Sequence, residues 1–229
     1  MGSLDEQLTR AIGPMTACDP SRNLTPWAAS LAFDIVIILA RHGRTSFNDE
    51  GRYQGSHDSP LTSLGLKQSH KLGILIGAIS SGKVTLWSSP LGRALHTARI
   101  IKDVAGLDGK IVIDQRLREV SLGSWDGLTD EEIESASPGS CNGATRFDWF
   151  FRAPDGESFE LVEARLTGWL ADVHERPGCH IAVSHGLSGR ILRGVYTAMP
   201  KDEALKLDVS QDAVFRLQDG RCEHIAFPS

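Results

Sequence analysis

Three polar segments of this sequence combine histidine, arginine, serine and glycine in ways that suit anion binding. The first is Arg41-His42-Gly43-Arg44, the second is Ser88-Ser89-Pro90 leading to Arg93, and the third is Ser184-His185-Gly186. Guanidinium and imidazole groups donate hydrogen bonds to phosphate oxygens, and glycine lets the backbone approach a ligand closely. These segments therefore predict a phosphate site, provided that the fold brings them together.

A short apolar run precedes each of these segments. Residues 35–40 form a continuous run rich in β-branched side chains, which is typical of a strand buried on both faces of a parallel sheet. Residues 84–87 and 180–183 are predicted to be strands as well. Because ligands bind outside the carboxyl ends of parallel strands, we expect all three segments to open onto one edge of the sheet.

Amphipathic helices alternate with these strands. Apolar residues recur every three or four positions in the segments 63–79, 91–105, 159–173 and 187–195. Thr129 and Glu132 form a capping-box pattern that predicts a further short helix from Asp130. Other strands are predicted at 110–113, 214–215 and 224–225. The alternation predicts an α/β fold, a three-layer α/β/α sandwich with a mainly parallel central sheet. Residues 137–155 lack a clear period and are predicted to be an irregular loop or lid.

Composition limits the domain organisation and the partners. Residues 1–30 are rich in Pro, Gly, Ser and Asn without a sustained period, so we expect a flexible extension there and a single domain over 31–229.

The net charge of -5 argues against nucleic-acid or anionic-membrane partners. No segment approaches the roughly 18 unbroken apolar residues of a membrane span. The four cysteines form no CxxC pair, so a zinc cage or disulfide framework is not indicated. We therefore expect a cytoplasmic protein.

The ordered set of motifs resembles the histidine phosphatase (phosphoglycerate mutase-like) superfamily. In chain order, the residues that carry this resemblance are Arg41-His42-Gly43, Asn48, Leu61-Thr62, Gly65, Ser89-Pro90-Leu91, Arg93-Ala94, Glu119, Gly123 to Gly127, and Ser184-His185-Gly186. An isolated Arg-His-Gly triplet recurs by chance, whereas this ordered set extends from about Asp34 to Tyr196. The resemblance is therefore specific and covers most of the chain.

The resemblance implies that His42 is a nucleophile that attacks phosphorus and holds the phosphoryl group as a phosphohistidine. Neutral imidazole is a good nucleophile near pH 7, which agrees with this role. Arg41 and Arg93 would bind the equatorial oxygens of the phosphoryl group, and His185 would add a hydrogen-bond donor. Asn48 and the backbone after His185, at Gly186, would complete the phosphate site.

The resemblance implies that Glu119 provides the carboxyl group that acts as general acid and base in this family. Glu119 would protonate the leaving oxygen and later accept a proton from water, and the bound phosphate would raise its pKa into a useful range. Pairing of Glu119 with Arg116 or Arg118 is the structural alternative. No cofactor and no metal is predicted, because arginines and histidines already neutralise the phosphate and no cluster of carboxylate ligands is present.

Several neighbouring residues have less specific interpretations. His57 is expected to be solvated, although it could contact a leaving group, and Ser158 is expected to start a helix rather than touch substrate. Trp125-Asp126-Gly127 is expected to position the loop that carries Glu119. Arg44 stands where many relatives have Glu or Gln, and this difference leaves the substrate class open. An additional cation there would favour a multiply charged ligand, but a solvent-facing side chain is the expected arrangement.

Three functions are compatible with these residues. The favoured one is hydrolysis of a small phosphorylated metabolite, because the long basic insert of cofactor-dependent mutases is replaced here by a shorter segment around 141–155. The first alternative is a phosphoglycerate mutase, which uses the same residues to return the phosphoryl group to a sugar-acid acceptor. The second is a catalytically silent module that binds a phosphorylated ligand. Neither the natural substrate nor the oligomeric state follows from these residues.

Overall fold

A six-stranded sheet forms the centre of the structure, a computed structural model that describes residues 35–227. The strands are β1 (Ile35–Arg41), β2 (Val84–Ser88), β3 (Val112–Ile113), β4 (Gly178–Ser184), β5 (Ala213–Gln218) and β6 (Arg221–Ala226), in the spatial order β3-β2-β4-β1-β5-β6. The first four strands are parallel, and β5 and β6 add an antiparallel edge. The predicted α/β fold with a mainly parallel sheet is confirmed.

The register of the parallel strands brings the three polar segments together. Arg41 at the end of β1 lies opposite Ser184 at the end of β4, and Ser88 of β2 lies opposite Val183. The chain leaves all three strands at the same edge of the sheet. This is the arrangement that the parallel-sheet rule predicts.

Helices cover both faces of the sheet. They are α1 (Ser46–Asp49), α2 (Ser63–Ile79), α3 (Gly92–Val104), α4 (Asp130–Ala136), α5 (Phe159–His174), α6 (Gly186–Tyr196) and α7 (Lys201–Ala204). The sequence predicts the five longer helices but misses α1 and α7. Each of these two has four residues, so neither is long enough to display a helical period.

Alternate residues of β1 face two separate apolar cores. Ile37 and Leu39 pack with α5 and α6, whereas Ile38 and Ala40 pack with α2 and α3. All four side chains are almost completely buried. A continuous apolar strand is therefore needed here, because both faces of the sheet are covered.

Two glycines set the path of the chain beyond β1. A Cβ atom on Gly43 would overlap the backbone of Gly65, and a Cβ on Gly65 would overlap the backbone of Arg44. Thr62 caps α2 by accepting a hydrogen bond from the N–H of Gly65 at 3.1 Å. This close packing fixes the loop after β1 against the start of α2.

The predicted extension over residues 1–30 lies outside the described residues. Within 35–227, no helix combines the length and the apolar character needed to cross a membrane. Cys141, Cys179 and Cys222 are free thiols, and Cys18 falls outside the described range.

Candidate active site

A cavity of about 410 Å³ lies at the carboxyl ends of the parallel strands. Six of the seven predicted site residues line it: Arg41, His42, Asn48, Arg93, Glu119 and Gly186. The seventh, His185, is only 2% exposed and does not line the cavity, but its ring centroid is 5.1 Å from that of His42. The structure thus places all seven residues around one site.

The environment of His42 favours a neutral ring with one free nitrogen. Its Nδ1 lies 2.8 Å from the carbonyl oxygen of Gly43, which can only accept, so Nδ1 carries the proton and Nε2 keeps its lone pair. Burial, followed by the positive charges of Arg93 and Arg41, holds the pKa of His42 well below its usual value. His42 is therefore a neutral imidazole at neutral pH, with an unprotonated Nε2 that has the form required of a nucleophile.

His185 is held by a serine hydroxyl. Its Nε2 lies 2.7 Å from Oγ of Ser89, and this oxygen also accepts a hydrogen bond from the N–H of Leu91. The hydroxyl proton of Ser89 has no other acceptor among the described residues, so the tautomer that satisfies it accepts at Nε2 and carries the ring proton of neutral His185 on Nδ1. Nδ1 is buried and has no partner within the described part of the chain. A phosphoryl oxygen beside His42 would satisfy this donor.

Burial also keeps His185 neutral. The loss of solvation, with smaller effects from the charges of Arg93, His42 and Arg41, holds the pKa of His185 well below its usual value. The ring therefore contributes a neutral hydrogen-bond donor rather than a further positive charge.

Arg93 is fixed by three acceptors on the segment between α1 and α2. Nη1 donates to the carbonyl oxygen of His57 at 2.5 Å and to Asp58 Oδ1 at 3.0 Å, and Nη2 donates to the carbonyl oxygen of Gly55 at 2.9 Å. Asp58 also accepts from the N–H groups of Gly92 and Arg93 at the start of α3. Nε of Arg93 is buried without a partner among the described residues, so it is available to a ligand.

Arg41 and Asn48 supply further donors from β1 and α1. Nη1 of Arg41 donates to the carbonyl oxygen of Val209 at 2.7 Å, and its buried Nε has no partner among residues 35–227. Burial lowers the pKa of Arg41 to about 10, so its guanidinium group stays charged at neutral pH. Oδ1 of Asn48 accepts from the N–H of Thr45 and from Gln211 Nε2, which leaves the Nδ2 amide as the donor group of this side chain.

Glu119 lies at the amino terminus of α6. Its Oε1 accepts from the N–H groups of Ser188 at 2.8 Å and Val120 at 3.0 Å, and its Oε2 accepts from the N–H of Leu187 at 3.2 Å. The resemblance implies that the backbone after His185, where α6 begins, contributes N–H groups to the phosphate site. In the structure, two of them donate to this carboxylate, because a carboxylate is itself favoured at a helix amino terminus.

The arginines adjacent to Glu119 in sequence form other ion pairs. Arg116 contacts Asp114 at 2.7 Å and Asp172 at 2.8 Å, and Arg118 contacts Glu157 at 2.6 Å. The alternative in which Arg116 or Arg118 merely pairs with Glu119 is not observed. The Glu119 side chain instead lines the cavity that contains His42.

A buried carboxylate joins the loop that carries Glu119 to the loop that holds Arg93. Asp126 accepts from the N–H and the hydroxyl of Ser56, from the hydroxyl of Ser121 at 3.2 Å and from the N–H of Leu122 at 2.8 Å. Asp126 is 7% exposed. The expected positioning role of the segment around Asp126 agrees with these contacts.

Three residues with open interpretations lie away from the cavity lining. The side chain of His57 is exposed, and its contribution is the carbonyl group that binds Arg93. Arg44 forms an ion pair with Asp49 at the surface. Ser158 caps α5 by accepting from the N–H of Leu161.

The rest of the cavity wall is formed by residues that the sequence does not single out, among them Arg52, Tyr53, Phe150 and Arg190. Tyr53 donates to Asp130 at 2.9 Å and packs against Phe150 from the irregular 137–155 segment. Arg190 follows Gly186 by four residues on α6, so helical spacing could have indicated that the two share a face. No such pattern exists for Phe150. Within residues 35–227, no three His, Cys, Asp or Glu side chains are grouped to hold a metal ion.

Comparison with known sequences identifies relatives over most of the chain. A family model described as "Histidine phosphatase superfamily (branch 1)" matches residues 37–224. A protein of Enterobacter sp. (strain 638) named "Probable phosphoglycerate mutase GpmB" is 35% identical over 188 residues. This alignment covers 79% of the present chain and 83% of the relative.

Comparison with solved structures finds the same architecture. A mycobacterial glucosyl-3-phosphoglycerate phosphatase in complex with VO3 is 28% identical, with a TM-score of 0.68, and the match covers 85% of this chain and 99% of that one. The Bacillus stearothermophilus protein YhfR is 30% identical, with a TM-score of 0.71, and the match covers 84% and 96% of the two chains.

Proposed function

Because this chain belongs to the histidine phosphatase superfamily, we propose that it hydrolyses a small phosphate monoester through a phosphohistidine on His42. The observation that carries the proposal is the state of His42. It is a buried neutral imidazole whose Nδ1 is bound to a carbonyl oxygen, and it lies in a cavity with two charged arginines and a carboxylate.

In the first step, Nε2 of His42 attacks phosphorus while the bond from phosphorus to the leaving oxygen breaks. The Gly43 carbonyl stabilises the positive charge that develops on the ring, because it accepts the Nδ1 proton. Arg41 and Arg93 hold the oxygens of the transferring group, where positively charged donors supply much of the rate acceleration. Glu119 gives its proton to the leaving oxygen, so that an alcohol departs rather than an alkoxide.

In the second step, water attacks the phosphorus of the phosphohistidine. The Glu119 carboxylate accepts a proton from this water, the P–N bond breaks, and inorganic phosphate leaves. His42 returns to its neutral state and Glu119 to its protonated state, so one water molecule is consumed in each cycle. His185 would donate from Nδ1 to a phosphoryl oxygen in both steps, since that nitrogen has no partner in the described chain.

Two observations favour hydrolysis over a mutase reaction. The basic residues Arg146 and Arg152 of the segment that replaces the mutase insert do not line the cavity, whereas Phe150 does. A structural relative that is named as a phosphatase, the mycobacterial glucosyl-3-phosphoglycerate phosphatase in complex with the oxyanion VO3, also supports hydrolysis. The name of the Enterobacter relative supports the mutase alternative. The silent binding module is disfavoured because both histidines and Glu119 are present.

The proposal is tested by measuring phosphate release from a panel of phosphate monoesters, with p-nitrophenyl phosphate included and EDTA added. We expect phosphate release that His42→Ala abolishes. A matched assay measures interconversion of phosphoglycerates in the presence of 2,3-bisphosphoglycerate. Efficient interconversion with negligible phosphate release would establish the mutase instead, and binding without either reaction would establish the silent module.

A further inference from the structure

Arg190 brings a positive charge to the cavity that the phosphohistidine chemistry does not use. It lies half-buried on α6 and lines the same cavity as His42. Its Nε donates to the carbonyl oxygen of Leu207 at 2.6 Å, which fixes the plane of the guanidinium group. Its terminal nitrogens form no hydrogen bond to the described residues and lie in no ion pair with them.

The other arginines of the cavity are already committed. Arg52 is paired with Glu132 at 2.6 Å and with Glu50 at 3.0 Å, and Arg93 is paired with Asp58 at 3.0 Å. Arg41 and Arg93 are the donors assigned to the transferring phosphoryl group. Arg190 is therefore an additional cation.

The acids nearest to Arg190 are engaged elsewhere. Glu119 accepts three backbone N–H groups, and Asp208 accepts from the N–H of Ser210 and lies 3.9 Å from His224 Nε2. Burial lowers the pKa of Arg190 despite the opposing charges of Asp208 and Glu119. A partly buried guanidinium group without a close counter-ion is costly to the free protein, and an anionic ligand would remove that cost.

The cavity has room for more than a phosphate. Its volume of about 410 Å³ falls in the range of sites that enclose whole small molecules. The phosphoryl group would occupy the part next to His42, and the alcohol portion would extend between Tyr53, Phe150 and Arg190. A forked guanidinium group matches the two oxygens of a carboxylate or of a second phosphate.

We propose that Arg190 binds a second anionic group, a carboxylate or a phosphate, on the alcohol portion of the substrate. This inference rests on the proposed phosphatase function and narrows its substrate class to small phosphate monoesters that carry another anion. Arg44 is the alternative source of an additional cation, but it is paired with Asp49 at the surface, as its expected solvent-facing position implies, which leaves this role to Arg190.

The test compares substrates that differ in the second anion. One pair is 3-phosphoglycerate and glycerol 3-phosphate, and another is fructose 1,6-bisphosphate and fructose 6-phosphate. In at least one pair, we expect the wild-type protein to prefer the compound with the second anion, 3-phosphoglycerate or fructose 1,6-bisphosphate. The expected difference in kcat/KM is about tenfold, which is the size of one charge-assisted hydrogen-bonded pair. In Arg190→Gln this preference falls by about tenfold, while kcat/KM for the simpler member changes less than about twofold.

Two variants serve as controls. Arg190→Lys keeps the charge without the fork, so it should retain part of the preference and show that Arg190→Gln acts through charge rather than misfolding. Arg44→Gln removes a surface arginine outside the cavity and should leave the preference unchanged. Equal effects of Arg190→Gln on both members of each pair, or no preference in the wild-type protein, would overturn the inference while hydrolysis dependent on His42 would still support the proposed function.

If no compound is hydrolysed, the proposed function fails and the inference is tested by binding. Titration calorimetry with the same four compounds then compares the wild-type protein with Arg190→Gln. Tighter binding of the compounds with a second anion, lost in Arg190→Gln, supports the inference. Equal affinity of both proteins for all four compounds overturns it.

Discussion

Ser89 Oγ lies 2.7 Å from Nε2 of His185, and both residues are almost fully buried. The same oxygen accepts the N–H of Leu91, and the hydroxyl proton has no other acceptor among residues 35–227, so donation to the imidazole leaves the fewest polar groups unsatisfied. The opposite ring nitrogen, Nδ1, then carries the proton and remains available as a donor. Ser89 acts through His185, so it is a positioning residue that selects the tautomer needed to hold a phosphoryl oxygen.

Ser89→Ala should therefore lower kcat by about tenfold or more, as expected for the loss of a group that orients a functional histidine. Ser89→Thr keeps the hydroxyl and should recover most of the rate. The ¹⁵N chemical shifts of His185 provide a readout that a packing defect would not produce. They should report a proton on Nδ1 in the wild-type protein and a mixture of tautomers in Ser89→Ala, and identical spectra would contradict this role.

Glu119→Gln should slow hydrolysis according to the leaving group. With an alkyl phosphate we expect a loss of about 10²- to 10⁴-fold, because the alkoxide must be protonated as it leaves. With p-nitrophenyl phosphate the first step needs no acid, so a burst of one equivalent of p-nitrophenolate should precede slow turnover. Glutamine keeps the shape of the side chain at the start of α6. An equal slowing of the first step for both substrates, with no burst of p-nitrophenolate, would show that Glu119 is structural only.

Asp126→Ala should destabilise the protein by about 2 kcal/mol, because it leaves the buried N–H of Leu122 and the partly buried donors of Ser56 and Ser121 without their acceptor. The loop that holds Arg93 would loosen at the same time, so kcat/KM should fall as well. Urea unfolding measures the first effect and steady-state kinetics the second.

Asp155→Ala is the matched control for this substitution. Like Asp126, Asp155 accepts hydrogen bonds from the N–H and the hydroxyl of one serine, here Ser124, but Asp155 is exposed. Asp155→Ala should therefore lower the free energy of unfolding clearly less than Asp126→Ala does, and it should leave kcat/KM unchanged. Equal losses of stability in the two variants would contradict the structural role of Asp126.

The buried histidines should make stability depend on pH. Burial holds the pKa of both His42 and His185 well below 6.5 in the folded state, whereas both take up protons near 6.5 when unfolded. The unfolded chain thus binds more protons below this pH, and the free energy of unfolding falls as pH drops from about 6.5 to 5. Each residue should contribute at most about 1.4 kcal/mol per pH unit, a slope approached as its imidazole becomes fully protonated in the unfolded chain.

Urea unfolding at several pH values tests this dependence. His180 adds to it in the same direction, because burial lowers its pKa too. The double variant His42→Gln, His185→Gln should therefore keep a shallower slope than the wild-type protein between pH 6.5 and 5. An unchanged slope would show that the two rings do not resist protonation in the folded state.

The parts of the site that sequence predicts are those governed by local rules. The apolar run 35–40 predicts β1, and the rule for parallel strands then places His42 beside His185 although they are far apart in the chain. A contact such as Asp58 with Arg93 has no such rule, because it depends on how the loop after α1 folds back onto α3. The position of Phe150 in the cavity wall could not be predicted either, because its segment contains aromatic residues but no helical or strand period.

Arg190 shows a different limit. The sequence predicts the helix that carries Arg190. Its proposed role in ligand binding, however, depends on the absence of a close acidic side chain, which only the packed structure shows. For Arg44 the expected solvent-facing side chain agrees with the structure, because its pairing with Asp49 keeps the side chain away from the cavity. A charged side chain can be assigned to a ligand only after the structure shows whether it already has a counter-ion in the protein.

The most direct test of the account is to trap the phosphorylated enzyme. Glu119→Gln mixed with p-nitrophenyl phosphate should accumulate the intermediate, because the first step needs no acid and the second lacks its base. Quenching in alkali, which preserves phosphohistidine, followed by mass spectrometry of peptides should locate one phosphoryl group on His42, and none in the variant that also carries His42→Ala. A phosphoryl group on another residue, or none while p-nitrophenolate is still released, would contradict the account.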